Sequence, residues 1–498
     1  MDPVSTVVVG RMGISRQLWN RPGVEHSMRR MDRKYRWHLV RVGLFSVGIW
    51  AAIPHTSDAQ TTLTNTKVAT FAKDVAPILQ RHCQECHRTD SMAPMSLVTY
   101  QETRPWARSI KERVVSREMP PWFLDKTIGI QQFINDISLS EEEIDTIVRW
   151  VDSGAPSGNL SEMPPPKRWP TGDRFRLEET LGPPDHVVKF EPFTMPPVAQ
   201  DTFFRPFADA GVIEPRWIRA VETKPSGKAG RRIAHHASAY VHQPESSAFL
   251  EAERELLSGQ AAADAVLKVA SEQSGGDPID TREMFTEWAQ GKGGEIYPDD
   301  TGKLIKPGAR FEVQIHYHAV GEEITDQLEI GLWFYPKERI PAYSVTYVSV
   351  GTQNNKPLHI PPHSLTVHQG SYTLPAPAIL HNFQPHMHYR GKAFSMEAIY
   401  PDGRRALLNH ADRFSNDWHI NYIYDPDFAP VLPQGTVLQI TAWHDNTVAN
   451  RNNPDPRQWV AYGGRTVDEM AHSNSQIIFI TDDDYHRITR ERRNRTQN

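Results

Sequence analysis

Two histidines two residues apart, His386 and His388, stand in the segment PHMHYRG that spans residues 385–391. Side chains alternate between the two faces of a β-strand, so residues i and i+2 leave the same face. Two imidazoles on one face provide half of a metal site, and further donors must come from elsewhere in the chain. Three distant pieces offer such donors: the adjacent pair His235–His236, the strand end with His316, and the triplet Asp468–Glu469–Met470.

The types of donor in these pieces suit copper. Imidazole nitrogens bind copper in both oxidation states, whereas the thioether of Met470 is a soft ligand that favours Cu(I). His235 and His236 point to opposite faces of an ideal strand, so both can reach one metal only at a β-bulge or a strand end. Each piece alone is weak evidence, because the chain has 22 histidines and a lone methionine is usually a core residue.

The two cysteines of the chain, Cys83 and Cys86, are followed directly by His87. C-x-x-C-H is the attachment pattern of c-type haem, in which the thiols bond to the porphyrin and the histidine ligates the iron. A redox-active C-x-x-C pair and half of a zinc site are the alternatives. Zinc is disfavoured because no second cysteine pair exists, and no βαβ pattern surrounds the motif to indicate a thioredoxin-like fold.

Composition and the N-terminal pattern predict an exported globular protein. A net charge of −5 over 498 residues, with no basic stripe, argues against nucleic acid as a partner. Basic residues at 29–41 precede an apolar run at 42–53, and Ser57, Asp58 and Ala59 offer a cleavage site, which is typical of a secretory signal peptide. Since the run is too short to span a bilayer comfortably, we expect a periplasmic or secreted protein without a membrane span after cleavage.

The rest of the chain divides into a helical part and a strand-rich part. Ser140 is a predicted N-cap ahead of an acidic first turn, whereas Phe311–His318 alternates apolar and polar residues as a half-buried strand does. A charged, alanine-rich insertion at 245–273 interrupts the strands. The predicted parts are a signal region at 1–59, an all-α domain at 60–158, a proline-rich linker at 159–185, two antiparallel β-sandwiches at 186–348 and 349–482, and a polar tail at 483–498 that we expect to be disordered.

Residues 60–158 resemble a small class I cytochrome c domain over about 95 residues, most closely in the final helix from Glu141 to Gly154. This resemblance agrees with a covalent haem c on the C-x-x-C-H motif. Met119, in a proline-stiffened loop, is the expected sixth ligand of the iron, and Met92 and Met95 compete with it. Methionine–histidine ligation raises the reduction potential and suits electron transfer.

Residues 186–482 resemble the copper type II, ascorbate-dependent monooxygenases, the family of peptidylglycine alpha-hydroxylating monooxygenase and dopamine beta-monooxygenase. The resemblance is carried by the four pieces named above and by their neighbours, such as the segment GGRTVDEM before Ala471. It implies two copper ions. The electron-transfer copper would be held by His235, His236 and His316, and the oxygen-activating copper by His386, His388 and Met470.

The resemblance implies a hydroxylase that uses O2, a small-molecule substrate and an external electron donor, with the haem as the relay. The alternative is a non-enzymatic exported electron carrier or copper-binding protein. A nitrite reductase or multicopper oxidase is disfavoured, because a type 1 copper needs a cysteine thiolate and both cysteines are committed.

Two departures from the family bear on the expected substrate and stability. The arginine and the tyrosine that recognise a peptide carboxylate are replaced here by Gln384 and Asn474, so a peptide ending in glycine is a poor expectation. No cysteine is left for disulfides, so the sandwiches must hold by packing alone. We expect the remaining histidines of this region either to be structural or to support the metal ligands without binding the metal, with His444 nearest to the site: His318, His381, His410, His419, His444 and His472.

Overall fold

The computed structural model describes residues 68–497, apart from 90, 92, 170–173, 201, 244–282, 290–291 and 353–357. These residues belong to one compact unit, Thr66–Asn498. The predicted signal region and the insertion at 245–273 lie outside the described residues. Within the described ranges, no helix is both long enough and apolar enough to cross a membrane.

The helices lie mainly in the N-terminal part. They are α1 (Ala76–His82), α2 (Tyr100–Thr103), α3 (Ala107–Val115), α4 (Glu141–Asp152), α5 (Glu178–Leu181), α6 (Gly227–Ile233) and α7 (Asp482–Gln497), with a π-helical turn at Phe71–Val75 and 3₁₀ turns at Arg104–Trp106 and Leu160–Glu162.

The predicted start of α4 is confirmed. The Ser140 hydroxyl accepts a hydrogen bond from the Glu143 backbone N–H, and the Glu143 carboxylate accepts one from the Ser140 N–H. Trp150 on the same helix is buried against Phe71, with ring centroids 6.1 Å apart. A small helical core therefore surrounds the segment that leads into Cys83.

Residues 120–137, which we call the strap, pack on the second sandwich although the sequence predicts them in the helical part. Trp122 lies edge-on to Tyr422 with ring centroids 4.7 Å apart, and Phe133 stacks on Tyr424 at 5.3 Å. The Ile130 N–H donates to a carbonyl oxygen of the same sandwich at 2.9 Å. The strap therefore joins the helical part to the β-rich part through a shared hydrophobic core.

Most of the described chain is β-sheet. The strands are β1 (His186–Lys189), β2 (Phe193–Met195), β3 (Thr202–Phe204), β4 (Phe207–Asp209), β5 (Arg216–Lys224), β6 (Ala234–His242), β7 (Glu283–Ala289), β8 (Glu295–Ile296), β9 (Thr301–Ile305), β10 (Arg310–Tyr317), β11 (Ile324–Asp326), β12 (Glu329–Phe334), β13 (Tyr343–Gly351), β14 (His359–Ile360), β15 (Leu365–Thr373), β16 (Ala378–Leu380), β17 (Asn382–Phe383), β18 (Pro385–His386), β19 (Gly391–Ile399), β20 (Arg405–Ala411), β21 (Tyr422–Ile423), β22 (Val431–Leu432), β23 (Val437–Asp445), β24 (Val460–Ala461) and β25 (His472–Phe479).

The larger sheets form two sandwiches that share a layer. A ten-stranded sheet runs in the order β1-β12-β5-β9-β13-β25-β16-β22, with β8 paired to β5 and β18 to β25. A five-stranded sheet, β3-β10-β6-β7 with β4 on β10, packs on one half, and a four-stranded sheet, β15-β23-β19-β20, packs on the other. One hydrophobic core lies under each smaller sheet, which agrees with the β-sandwich architecture that the sequence predicts.

The shared layer continues through the predicted boundary between the sandwiches. Strand β13 pairs in parallel with β9 of the first sandwich and antiparallel with β25 of the second. The boundary expected at 348/349 therefore falls inside a strand. The end of the predicted linker packs on the first sandwich, because the Phe175 ring lies edge-on to that of Trp333 on β12 with centroids 5.9 Å apart.

The expectation of a disordered tail is wrong, because residues 482–497 form α7. Thr481 caps the helix by accepting a hydrogen bond from the Asp484 N–H. The aspartates of the first turn stabilise the helix because their negative charge lies at the positive end of the helix dipole. Tyr485 and Ile488 lie three residues apart and pack on the first core. This short apolar stripe anchors a helix whose composition is otherwise polar.

Candidate metal centre

Three of the predicted ligands converge at the start of β6 and the end of β10. The side-chain nitrogens of His235, His236 and His316 all lie within 4.8 Å of one another. In the pairing of β10 with β6, His316 lies opposite His236 and Tyr317 opposite Ala234, so His235 is the extra residue of a β-bulge. The bulge turns two adjacent side chains toward one point. The prediction that His235 and His236 lie at a β-bulge or a strand end is confirmed.

Burial holds these imidazoles in the neutral form that can bind a metal. Burial, and after it the neighbouring His419, lowers the pKa of His235 to about 3. The same causes hold the pKa of His236 well below its usual range. His316 is nearly inaccessible to solvent and stacks on Phe203 with ring centroids 4.5 Å apart. No proton therefore competes for the nitrogens of His235 and His236 at neutral pH.

The second set of imidazoles lies where β18 pairs with β25. His386 lies opposite His472 in the register, and their ring centroids are 4.7 Å apart. His388 follows, with its ring centroid 5.3 Å from that of His386. Burial lowers the pKa of both His388 and His472 to about 4. The structure thus brings the predicted pair together and adds His472, which the sequence treats as structural.

The loop that carries Met470 is tied to this second set by a buried carboxylate. Glu469 accepts hydrogen bonds from the backbone N–H groups of His388, Arg390 and Met470. Burial raises the pKa of Glu469 to about 7, against the lowering effect of these donors and of the Arg390 charge. The carboxylate therefore links the backbone of Met470 to that of His388.

Two further hydrogen bonds orient the rings near Met470. His388 Nδ1 lies 3.2 Å from the Asp468 carbonyl oxygen; since a carbonyl only accepts, Nδ1 carries the proton and Nε2 keeps its lone pair. His444 Nε2 lies 3.3 Å from the Met470 carbonyl oxygen. His444 is thus close to the site, as the sequence predicts, and it supports the loop of Met470.

A seventh imidazole, that of His419, stands between the two sets. Its ring centroid lies 4.8 Å from that of His386 and 5.3 Å from that of His236. His419 Nδ1 lies 3.6 Å from a carboxylate oxygen of Glu287. Burial acts to raise the pKa of Glu287, but Lys292 and His419 outweigh it and lower this pKa to about 2. An ionised carboxylate therefore faces the histidines.

A buried polar network supports Glu287. The Lys292 ammonium lies 3.6 Å from Glu287 and 3.0 Å from Glu295, and Glu295 accepts hydrogen bonds from the Tyr347 hydroxyl and from the Gln476 amide. These residues come from both sandwiches, because Glu295 lies on β8, Tyr347 on β13 and Gln476 on β25. The network therefore fixes the two halves of the site relative to each other.

The C-x-x-C-H segment follows α1 as a tight turn. The His87 N–H donates to the Cys83 carbonyl oxygen at 2.9 Å. Burial raises the pKa of Cys83 to about 12 and also raises that of Cys86. Thiols held in the protonated form are poor nucleophiles.

His87 presents one nitrogen for ligation. His87 Nδ1 lies 3.3 Å from the Met95 carbonyl oxygen, which leaves Nε2 to face a metal. The Met95 carbonyl oxygen therefore lies behind the ring, and Met95 stays an alternative to Met119 as an iron ligand. Met119 is half-buried in the loop after α3, and its role as the sixth ligand stays a prediction. Met92 lies outside the described residues.

The C-x-x-C-H turn contacts the first sandwich through charged side chains. Glu85 forms an ion pair with Arg176, and the backbone N–H of Arg176 donates to Glu222 of β5 at 3.0 Å. The turn is therefore tied to the segment that precedes the first sandwich and hydrogen-bonds to it.

Of the remaining histidines, His419 and His472 are those that sequence reasoning missed. His472 stands two residues after Met470, and the alternation of a strand could have indicated it. His419 lies in a loop with no periodic pattern, and no signal in the sequence points to it. His381 is buried, and His410 packs edge-on against Trp443 with ring centroids 5.5 Å apart.

No family model and no curated protein matches this chain. Among solved structures, the chain is similar to a two-domain protein of unknown function from Bacteroides fragilis, with 10% identity and a TM-score of 0.13 over 57% of this chain and 85% of that chain. It is also similar to the structure of the infectious bursal disease virus Gx strain, with 6% identity and a TM-score of 0.16 over 62% of this chain and 75% of that chain. At these TM-scores, neither similarity bears on the fold or the function.

Proposed function

We propose that the chain is an exported copper-dependent monooxygenase that hydroxylates a substrate C–H bond with O2 and receives electrons through a covalently attached haem c. The observation that carries the proposal is the convergence of the side-chain nitrogens of His235, His236 and His316 within 4.8 Å. A second set, with His386 and His388, lies next to the first. The sequence resemblance to the copper type II monooxygenases assigns the same residues.

The donor set fits metal ions on structural grounds. Within the described part of the chain, Nδ1 of His235 and Nδ1 of His472 are buried without a hydrogen-bond partner. A buried imidazole nitrogen without a partner costs free energy, and a metal ion would remove that cost at either position. The imidazoles around them are neutral for the reason given above, and nitrogen with thioether donors favours copper over the hard cations.

When bound, copper would supply the one-electron chemistry that activates O2, and the haem would relay electrons to it. Hydroxylation places one oxygen atom in the substrate and reduces the other to water, so each turnover consumes two electrons and two protons. The protein holds the donors in place: Asp468 fixes the His388 tautomer, and Glu469 ties His388 to the loop of Met470. The ion pair between Glu85 and Arg176 ties the turn that would bind the haem to a segment hydrogen-bonded to β5.

The substrate differs from a peptide with a C-terminal carboxylate. Gln384, which stands where the family has its carboxylate-binding arginine, is 1% exposed and donates a hydrogen bond to Glu287. The Asn474 N–H donates to the Gln384 carbonyl oxygen at 3.0 Å, so the two replaced positions are neighbours. With a carboxylate already bound to Gln384, a substrate anion at this place would be repelled.

The proposal is tested by metal analysis and oxygen consumption on the full chain expressed in the periplasm. We expect two copper ions and one covalent haem per chain, the haem measured as its pyridine haemochrome. With ascorbate as the reductant, we expect O2 consumption that depends on added copper. Protein that holds both cofactors but consumes no O2 would instead be an electron carrier, the non-enzymatic alternative.

A matched pair of methionine variants makes the test specific. We expect Met470→Leu to abolish copper-dependent O2 consumption and to weaken Cu(I) binding, because leucine keeps the volume of the side chain but lacks the thioether. Met163→Leu changes a half-buried methionine of the helical core and should behave as the wild type. The haem spectrum should be unchanged in both variants. Equal loss of O2 consumption in both would contradict the role assigned to Met470.

A further inference from the structure

We propose that a groove on the first sandwich binds a small organic anion, in which a carboxylate or a phosphate group is attached to an apolar body. The groove has a volume of about 570 Å³ and is lined by residues of α5, β5, β8, β12 and the loop after β12. A groove of this volume is large enough for a small molecule. None of the candidate metal ligands lines it, so the inference does not depend on the proposed function. We call it the arginine groove.

Positive charge dominates the walls of the arginine groove. Three guanidinium groups line it, those of Arg216, Arg219 and Arg339, against the two carboxylates of Asp185 and Asp299. These five described residues form no ion pair with one another. Asp185 instead accepts a hydrogen bond from a backbone N–H of β12 at 2.7 Å. The uncompensated guanidinium charge would attract an anion into the groove.

A β-bulge brings two of the arginines to the same groove. Arg216 and Arg219 are three residues apart, and such residues point to opposite faces of a regular strand. In the pairing of β12 with β5, two successive residues of β12 lie opposite Ala220 and Ile218, so Arg219 is the extra residue of a bulge. On its other edge β5 also changes partner at this residue, from β9 at Ile218 to β8 at Ala220. Bulges that redirect a side chain in this way are common beside functional sites.

Aromatic rings hold the other two guanidinium groups. Cζ of Arg216 lies 4.4 Å from the centroid of the Phe334 ring, and Cζ of Arg339 lies 4.9 Å from that of Tyr335. Arg216 also donates a hydrogen bond to the Tyr335 carbonyl oxygen at 3.2 Å, and its ion pair with Glu214 is long, at 4.0 Å. A guanidinium that stacks on a ring by its face keeps N–H groups at its edge for an oxyanion.

The guanidinium of Arg219 has the clearest need of a ligand. Within the described part of the chain it forms neither a hydrogen bond nor an ion pair, and the residue is only partly exposed. Its five N–H donors have a fixed planar arrangement that matches the two oxygens of a carboxylate or a phosphate. A bound oxyanion would therefore supply the acceptors that the protein does not.

The remaining walls of the groove include apolar surface. Leu181, Ile296 and Pro336 line it, and Ile296 is 45% exposed although isoleucine is among the residues most often buried. An organic body attached to the anionic group would remove this surface from water, which an inorganic ion cannot do. The expected ligand is therefore an organic anion.

Isothermal titration calorimetry on the copper-free full chain tests the inference with benzoate, phenyl phosphate and benzyl alcohol as probes. We expect at least one of the two anions to bind at one site per chain, and the tighter of the two identifies the anionic group. Benzyl alcohol has the ring without the charge and should not bind. Added salt should weaken anion binding, because the arginines are in contact with solvent. Binding of neither anion, or binding of benzyl alcohol as tight as that of the anions, would overturn the inference.

Inorganic phosphate tests the apolar part of the site. We expect it to bind more weakly than phenyl phosphate, because it leaves the apolar walls exposed. An affinity for inorganic phosphate equal to that for phenyl phosphate would contradict the organic ligand.

Variants then locate the bound anion. In Arg219→Gln and in Arg339→Gln we expect the affinity for the anion to fall at least about 10-fold. Arg404→Gln is the matched control, because that guanidinium is also exposed and lies over a tyrosine, with Cζ 4.5 Å from the Tyr400 ring centroid; it should bind the anion as the wild type does. Arg339 is exposed, so its replacement tests the site even if Arg219→Gln does not fold. Wild-type affinity in Arg339→Gln would contradict the arginine groove as the binding site.

Discussion

Glu469 offers the sharpest test of how the second set of imidazoles is held. Its carboxylate is completely buried and accepts three backbone N–H groups, from His388, Arg390 and Met470. A hydrogen bond to a charged group contributes about 1.5–3 kcal/mol, and a buried donor left without a partner costs about 1–3 kcal/mol. Glu469→Ala removes all three acceptors at once. Because water can enter the space and satisfy part of the loss, we expect the free energy of unfolding to fall by about 3–5 kcal/mol.

Glu469→Gln separates geometry from charge. One oxygen of Glu469 accepts from His388 and Met470, and the other accepts from Arg390. The amide of glutamine can keep the first two hydrogen bonds, but its NH₂ group would face the Arg390 N–H. We therefore expect a loss of about 1–3 kcal/mol, smaller than that of the alanine variant.

The measurement is urea denaturation of the copper-free protein at pH 8, followed by far-UV circular dichroism, together with copper affinity. Both variants should also weaken copper binding, in the same order as they lose stability, because His388 is held through its backbone. Glu397→Gln is the control, since that carboxylate pairs with Arg405 on the surface and should change stability by less than about 1 kcal/mol. A surface substitution usually changes the free energy of unfolding by less than about 0.5 kcal/mol. If the free energy of unfolding of Glu469→Ala lies that close to the wild-type value, the three hydrogen bonds do not contribute as argued.

Three further outcomes are expected. Lys292→Met leaves the buried carboxylates of Glu287 and Glu295 without the Lys292 cation. We expect the free energy of unfolding of this variant to fall by about 3–5 kcal/mol, measured as a lower melting temperature. Burial lowers the pKa of His472 to about 4 and that of His444 to about 3, so their contribution to stability is complete above the unfolded pKa near 6.5 and is lost as the pH falls toward 4. Denaturation of copper-free protein between pH 7 and 4 should show a decline of up to about 1.4 kcal/mol per pH unit for each histidine, and His444→Gln should reduce that slope. Trp122→Ala removes the ring that packs on Tyr422, at a cost of about 3–5 kcal/mol, and limited proteolysis should then cut the strap faster than in wild-type protein.

Local patterns in the sequence predicted local structure well. The capping sequence at Ser140 starts α4, and the alternation of Phe311–His318 corresponds to β10, because both signals depend on neighbours in sequence. The tail forms a helix although its sequence predicts disorder. It has the polar composition of a disordered segment, because Tyr485 and Ile488 are the two apolar residues by which it packs on the core. The strap was assigned to the helical part because nothing in its sequence records that Tyr422, 300 positions away, completes its core.

The sequence predicts those residues of the candidate site that belong to a motif. Two adjacent histidines that reach one point predict a β-bulge or a strand end, and the structure has a bulge at His235. His472 and His419 were not assigned, because a single histidine carries no spacing. Their positions depend on tertiary contacts: the register of β18 on β25 brings His472 to His386, and the loop before β21 brings His419 between the sets.

The sandwiches contain no cysteine, and the sheet layer that they share holds them together instead. The ten-stranded sheet passes from β9 through β13 to β25, so a rotation of one sandwich against the other would break strand pairing. It would also expose the network of Lys292, Glu287 and Glu295, whose burial is tolerable only while every charge has a partner. The second set of imidazoles is carried by this shared layer, on β18 and its partner β25, whereas the first set lies on β6 and β10 of the five-stranded sheet that packs on it. Their relative position is therefore set by the packing of the two sheets, and the His419 ring contacts one ring of each set.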